Sequence, residues 1–114
     1  MNFDSLKNKV MKFPNSTTRP MFGYECFSVN GKFFVGFSRK NNRQVIVRLP
    51  KEVQQKAIRN KAIKPFSHGA KAGWIEIDSE LISISSAFNW IKKGYESALT
   101  LSKNKLLTRI ITRK

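Results

Sequence analysis

Acidic side chains are scarce in this chain: seven Asp and Glu stand against 22 Lys and Arg, a formal net charge of +15 over 114 residues. So one-sided a charge repels its own kind and draws polyanions at long range. Cys26 is the one cysteine, which excludes an internal disulfide and a thiolate-rich metal site and fits a reducing, cytoplasmic setting. His68 is the one histidine, so His–His metal pairs and two-base schemes are excluded as well. No uncharged run approaches the roughly 20 residues of a membrane span, and residues 1–10 lack the apolar stretch of a secretory signal. Neither GxxxxGK[ST] nor GxGxxG occurs, so no phosphate-cradling loop is expected.

What remains is ample for a core. Apolar residues make up 40%, with nine Phe and two Trp, and a single domain over residues 1–101 followed by a basic tail, 102–114, is expected. Phe3, Leu6, Val10 and Phe13 recur at helical spacing and predict a short helix stopped by Pro14. Residues 15–18 read as a polar connector. Residues 21–29 and 32–38 read as strands around Asn30-Gly31, a hairpin turn whose two residues tolerate positive φ. Phe33, Val35 and Phe37 alternate against Phe34, Gly36 and Ser38, and residues 44–49 continue the meander.

Pro50 suits the first residue of a helix with Glu52 in its first turn. Residues 60–72 read as a loop or irregular strand, and residues 73–78 alternate as a strand whose Trp74 is expected against a helix. Residues 83–101 carry the longest helical pattern, with Ser83 or Ser85 as cap. The tail repeats helical spacing at Leu106, Leu107, Ile110 and Ile111, with an extended strand as the alternative. The class is therefore α+β: an antiparallel sheet of about four or five strands, helices on one face, a helix at the N-terminus and a long one at the C-terminus.

The ordered motifs Arg19-Pro20-Met21-Phe22-Gly23, Val29-Asn30-Gly31-Lys32, Lys64-Pro65, Gly73-Trp74-Ile75-Glu76-Ile77-Asp78 and Trp90-Ile91-Lys92-Lys93-Gly94 resemble the TfoX N-terminal-domain family. The likeness runs from Arg19 to Leu101. Tyr24 stands where that family often has a second Gly. The related MmcQ/YjbR-like proteins share a similar plan and are the neighbouring alternative. The resemblance implies a non-catalytic regulatory or adaptor module, with Arg19, Met21, Phe22, Gly23, Gly31, Gly73, Trp74, Trp90 and Gly94 as its structural motif.

For chemistry, a Cys26–His68 nucleophile pair requires the hairpin and the loop to meet in space. Glu76 and Asp78, with Glu80 nearby, would share a strand face and suit a hard cation, or simply face solvent opposite Ile75 and Ile77. No catalytic residue, cofactor or metal is expected. Binding is better supplied. Lys92, Lys93, Lys103, Lys105, Arg109, Arg113 and Lys114 face a single acid, Glu96, over the last part of the chain and suit non-specific phosphate contacts. Tyr24 or Phe34, if exposed on the sheet, would stack unpaired bases. The expected partner is nucleic acid or an acidic protein of the transcription machinery. A protein-interaction or homodimerisation module with no nucleic-acid role is the second reading.

Overall fold

Phe3, Leu6 and Val10 fall on one side of a helical wheel, and all three are buried on helix α1 (Phe3–Met11). The computed structural model describes residues 3–112, with side chains for residues 3–100. Beyond Pro14, which cannot continue a helix, the chain builds a six-stranded sheet. Its strands are β1 (Ser16–Met21), β2 (Tyr24–Val29), β3 (Lys32–Ser38), β4 (Gln44–Arg48), β5 (Ile63–Pro65) and β6 (Trp74–Asp78). All neighbours are antiparallel, in the spatial order β1-β2-β3-β4-β6-β5. Helix α2 (Lys51–Ala57) links β4 to β5, and α3 (Ile84–Thr112) follows β6. The fold is α+β, as expected.

Register decides which side chains meet. Phe37, Val45, Ile77 and Ile63 are successive cross-strand partners, as are Val35, Val47 and Ile75. All are buried. Ala87, Ile91 and Ala98 of α3 are buried in the same core, and burial of this kind stabilises by roughly 1.5–3 kcal/mol per large side chain. Gly94 marks a very close approach of helix to sheet: a Cβ there would lie 2.8 Å from Val47 Cγ1 and 3.0 Å from the Arg48 carbonyl oxygen. Phe13 stacks on Tyr95 at 4.4 Å between centroids and on Phe88 at 5.5 Å. The Tyr95 phenol donates to the Pro14 carbonyl at 3.0 Å, which ties the start of the chain to α3. At the head of α3 the Ser83 hydroxyl accepts the Ser86 N–H at 3.2 Å, the expected cap.

The sheet is larger than the sequence predicts. Of residues 15–18, expected as a connector, residues 16–18 belong instead to β1, where the Thr17 and Ser28 hydroxyls lie 2.9 Å apart. The single strand expected over residues 21–29 is broken by a two-residue turn at Phe22 and Gly23, with φ of 53° and 80°. That repeats the backbone of the expected Asn30-Gly31 turn, at 50° and 79°. Part of residues 60–72, expected as a loop or irregular strand, pairs with β6 as β5. The alternation expected along β3 also fails at one place. Phe27 pairs with Val35 but Ser28 with Phe33, so Phe34 is a bulged extra residue. It joins Val35 and Phe37 in the core and does not lie on the opposite face.

Trp74 is a further correction. Ile75 and Ile77 face the helices, so Trp74 stands on the other side of β6, against Gly69 rather than against a helix. Pro50 is the residue before α2, at φ −56° and ψ 149°, not its first helical residue. The basic stretch after residue 101 continues α3 without a break as far as Thr112.

Candidate functional site

Side chains alternate along strands, so the register that builds the core also fixes what lies on the opposite face. One row of partners crosses the whole sheet there: Arg19, Cys26, Gly36, Ile46, Glu76 and Lys64. The two end residues are exposed, whereas Cys26 and Ile46 form a buried floor. Gly36 lets that floor close, because a Cβ there would lie 2.9 Å from Ile46 Cγ1 and 3.1 Å from Cys26 Sγ.

A loop returns over one side of this floor. The Phe66 N–H donates to the Trp74 carbonyl at 3.0 Å and the Trp74 N–H to the Gly69 carbonyl at 3.1 Å. Gly73 makes the return possible. Its φ is 97°, and a Cβ on it would fall 1.9 Å from the Leu49 carbonyl oxygen. Gln54, buried on α2, donates its amide to the carbonyls of Ala70 and Trp74 at 2.9 and 3.1 Å and holds the loop from behind. Tyr24 meets Phe66 edge to face at 5.8 Å, and Phe66 meets His68 at 5.5 Å.

The Phe22 and Gly23 turn forms the other wall, and the Gly23 carbonyl accepts the Arg39 N–H at 2.9 Å. Phe22 itself is 89% exposed. Between these walls lies a cleft of about 700 Å³, with Tyr24, Phe66 and Trp74 as its aromatic lining and Ser38, Lys40 and Glu76 as polar groups.

Electrostatics within the cleft follow from burial. The Cys26 thiol is pushed up by desolvation, so the sulfur stays protonated near neutral pH. The Tyr24 phenol is also raised, first by burial, then by the Glu76 carboxylate and last by the neighbouring Cys26. Glu76, with a side chain 15% exposed, receives Lys64 Nζ on Oε2 at 3.2 Å. Its Oε1 accepts no hydrogen bond among the described residues. Cys26 and His68 line the same cleft, as a nucleophile pair requires, yet no hydrogen bond joins them among the described residues.

The acids singled out by sequence are engaged with cations. Arg43 donates Nε and Nη2 to the two oxygens of Asp78, each at 2.7 Å, and Nη1 lies 3.3 Å from Glu80. The Arg43 hydrogen bond holds the Asp78 carboxyl below the usual carboxylate range. Among the described residues no three His, Cys, Asp or Glu side chains form a metal-binding group.

The predicted phosphate-binding residues lie elsewhere. Lys92 and Lys93 are exposed on α3, which covers the core face, so the sheet separates them from the cleft. Lys103, Lys105 and Arg109 belong to the last part of α3, where only backbone is described; Arg113 and Lys114 lie outside the described residues. Of the motif residues, Arg19, Met21, Phe22, Gly23 and Trp74 are on or beside the cleft. Gly73, Gly94 and Gly31 serve loop, helix packing and turn, and Trp90 packs half-buried on α3. Phe34 is fully buried and offers no ring to a base, whereas Tyr24 does reach the cleft. Phe22, Phe66 and Gln54 were not singled out as cleft residues, because only the return of the loop brings them to the site.

The YjbR family model matches residues 11–97, and the chain belongs to that family. This is the family set beside the TfoX domains by the motifs, and it is YjbR whose pattern matches. No curated protein matches the chain. Among solved structures, protein DR2400 of Deinococcus radiodurans, with its DUF419 domain, superposes with a TM-score of 0.71 at 13% identity, over 82% of this chain and 75% of that one. A protein from Pseudomonas syringae superposes with a TM-score of 0.68, also at 13% identity, over 86% of this chain and 99% of that one. At such identity the likeness establishes the fold alone. Among the described residues no helix is long and apolar enough to cross a membrane.

Proposed function

We propose that this YjbR-family chain is a non-catalytic binding module of the regulatory or adaptor kind, TfoX-like in role. It acts in the cytoplasm and holds nucleic acid through its phosphates, with an acidic surface of the transcription machinery as the alternative partner. The observation that carries this is the surplus of unengaged cations. Among the described residues only Lys7, Arg43 and Lys64 form ion pairs with carboxylates. Lys12, Arg19, Arg39, Lys40, Lys92 and Lys93 are exposed with no acid partner there. Each phosphate engaged by such a group releases condensed counterions, which gives affinity without reading sequence.

The absence of catalysis is part of the proposal, and the state of Cys26 supports it: a buried, protonated thiol is a poor nucleophile. The test is binding of a generic duplex fragment followed by fluorescence anisotropy across salt. About five phosphate contacts give a few-hundred-fold loss of affinity between about 50 and 200 mM salt. No retention of DNA or RNA at about 50 mM salt rules out the nucleic-acid version.

One observation favours the second reading, a protein-interaction or homodimerisation module. Phe22 and Leu81 are large apolar side chains, 89% and 62% exposed. A protein partner recovered by pull-down and unaffected by nuclease would establish that role; loss of the partner on nuclease treatment would remove it.

A further inference from the structure

We infer that the cleft between the Phe22 turn and the 66–68 loop receives a single unpaired base of a strand whose phosphates Lys40 and Arg19 hold on the same face of the sheet. This rests on the nucleic-acid reading above and adds a site to it. Phe22 is the first observation. It occupies a left-handed position, φ 53°, that turn chemistry gives to Asn, Asp or Gly, and it holds its ring in water, 89% exposed. Both features run against folding physics. A backbone outlier of this kind points to a role outside the fold.

The lining is the second. Tyr24 and Phe66 meet at 77°, edge to face, and Phe66 meets His68 at 69°; among the described residues no ring stacks in parallel on either Tyr24 or Phe66. Trp74 adds a third aromatic surface to the same cleft. Stacking on such rings tolerates any base, and the volume of about 700 Å³ lies in the range of small-ligand sites.

Charge supplies the third, and it selects the occupant. Inside the cleft stands a carboxylate, Glu76, which pairs with Lys64 through Oε2 and leaves its other oxygen unengaged among the described residues; around it stand Lys40 at the turn and Arg19 at the far end of the cross-sheet row. A nucleotide matches that distribution. Its phosphates are anionic and lie outward, while the edge of its base presents N–H donors inward. An acidic peptide does not match, because its carboxylates would meet Glu76. A carboxylate accepts from the exocyclic amine of cytosine, adenine or guanine. Thymine and uracil offer one N3–H flanked on both sides by carbonyl oxygens that repel the carboxylate, so bases that carry an amine are preferred.

The experiment compares a single-stranded oligocytidine, an oligothymidine and an abasic strand of equal length, read by anisotropy and by backbone amide shifts. The oligocytidine binds about tenfold or more tighter than the abasic strand, and it shifts the amides of Tyr24, Ile46 and Trp74. Phe22→Gly brings its affinity toward the abasic level and leaves the salt dependence unchanged. Glu76→Gln removes the preference for oligocytidine over oligothymidine. Equal, salt-dependent binding of all three strands would overturn the base site and leave the phosphate-binding surface standing. Uncharged cytidine at millimolar concentration addresses the cleft independently of the surface. Cleft shifts with cytidine, in a protein that retains no strand at low salt, would refute the strand-borne base and assign the cleft to a free nucleoside.

Discussion

Arg43 grips Asp78 with two charge-assisted hydrogen bonds, Nε to Oδ1 and Nη2 to Oδ2, each 2.7 Å, and so fastens the turn before β4 to the end of β6. The pair makes stability depend on pH. Because the folded state holds the Asp78 carboxyl below its usual value, first through the Arg43 hydrogen bond, the stabilisation is present above the unfolded carboxylate value and fades as pH falls through the depressed one. Asp78→Asn therefore lowers the urea midpoint at about pH 7. The gap to the unaltered protein narrows as pH drops below about 4. A gap that stays constant across that range would assign the effect to packing.

Phe22→Gly separates stability from binding. Relief of a left-handed non-glycine residue is worth about 1–2 kcal/mol, offset by about 0.4–1 kcal/mol of added freedom in the unfolded chain. The net expectation is a gain of about 0.5–1 kcal/mol, visible as a rise of a few degrees in thermal midpoint. A fall would mean that the exposed ring has a structural partner after all.

Gly73→Ala acts in the opposite sense. Its Cβ would enter the Leu49 carbonyl at 1.9 Å, on a backbone with φ 97°. Strain and overpacking together predict a loss of about 2–5 kcal/mol in chemical denaturation. The 66–73 loop would open with it, which hydrogen exchange at the Phe66 and Trp74 amides would detect.

Cys26 is buried at 2% exposure and its thiol is raised by desolvation. Alkylation with iodoacetamide at neutral pH should be slow and should follow the opening rate of the domain, rising sharply in denaturant. Fast modification of the native protein would contradict the closed floor of the cleft.

Much of this fold was legible before any coordinates, and the reasons are local. The Asn30-Gly31 turn, the α1 stripe of Phe3, Leu6 and Val10, the alternation of Ile75 and Ile77 and the Ser83 cap all depend on neighbours in sequence. The Phe22 and Gly23 turn was hidden because Phe is the wrong residue for its geometry, so no turn signal announced it. Phe34 entered the core through a bulge in its own strand, opposite Phe27 and Ser28, and strict side-chain alternation does not announce a bulge. The cleft was the least legible part. It exists only because Gly73 and Gln54 return a loop to a hairpin far away in sequence.

Both margins of the sheet contain a proline, Pro20 in β1 and Pro65 in the three-residue β5. Lacking an amide hydrogen, each interrupts the ladder that an incoming chain would need, and charged Arg19 and Lys64 sit beside them. The molecule is thereby protected from strand-by-strand stacking into fibres. Self-association through a shared continuous sheet is disfavoured for the same reason.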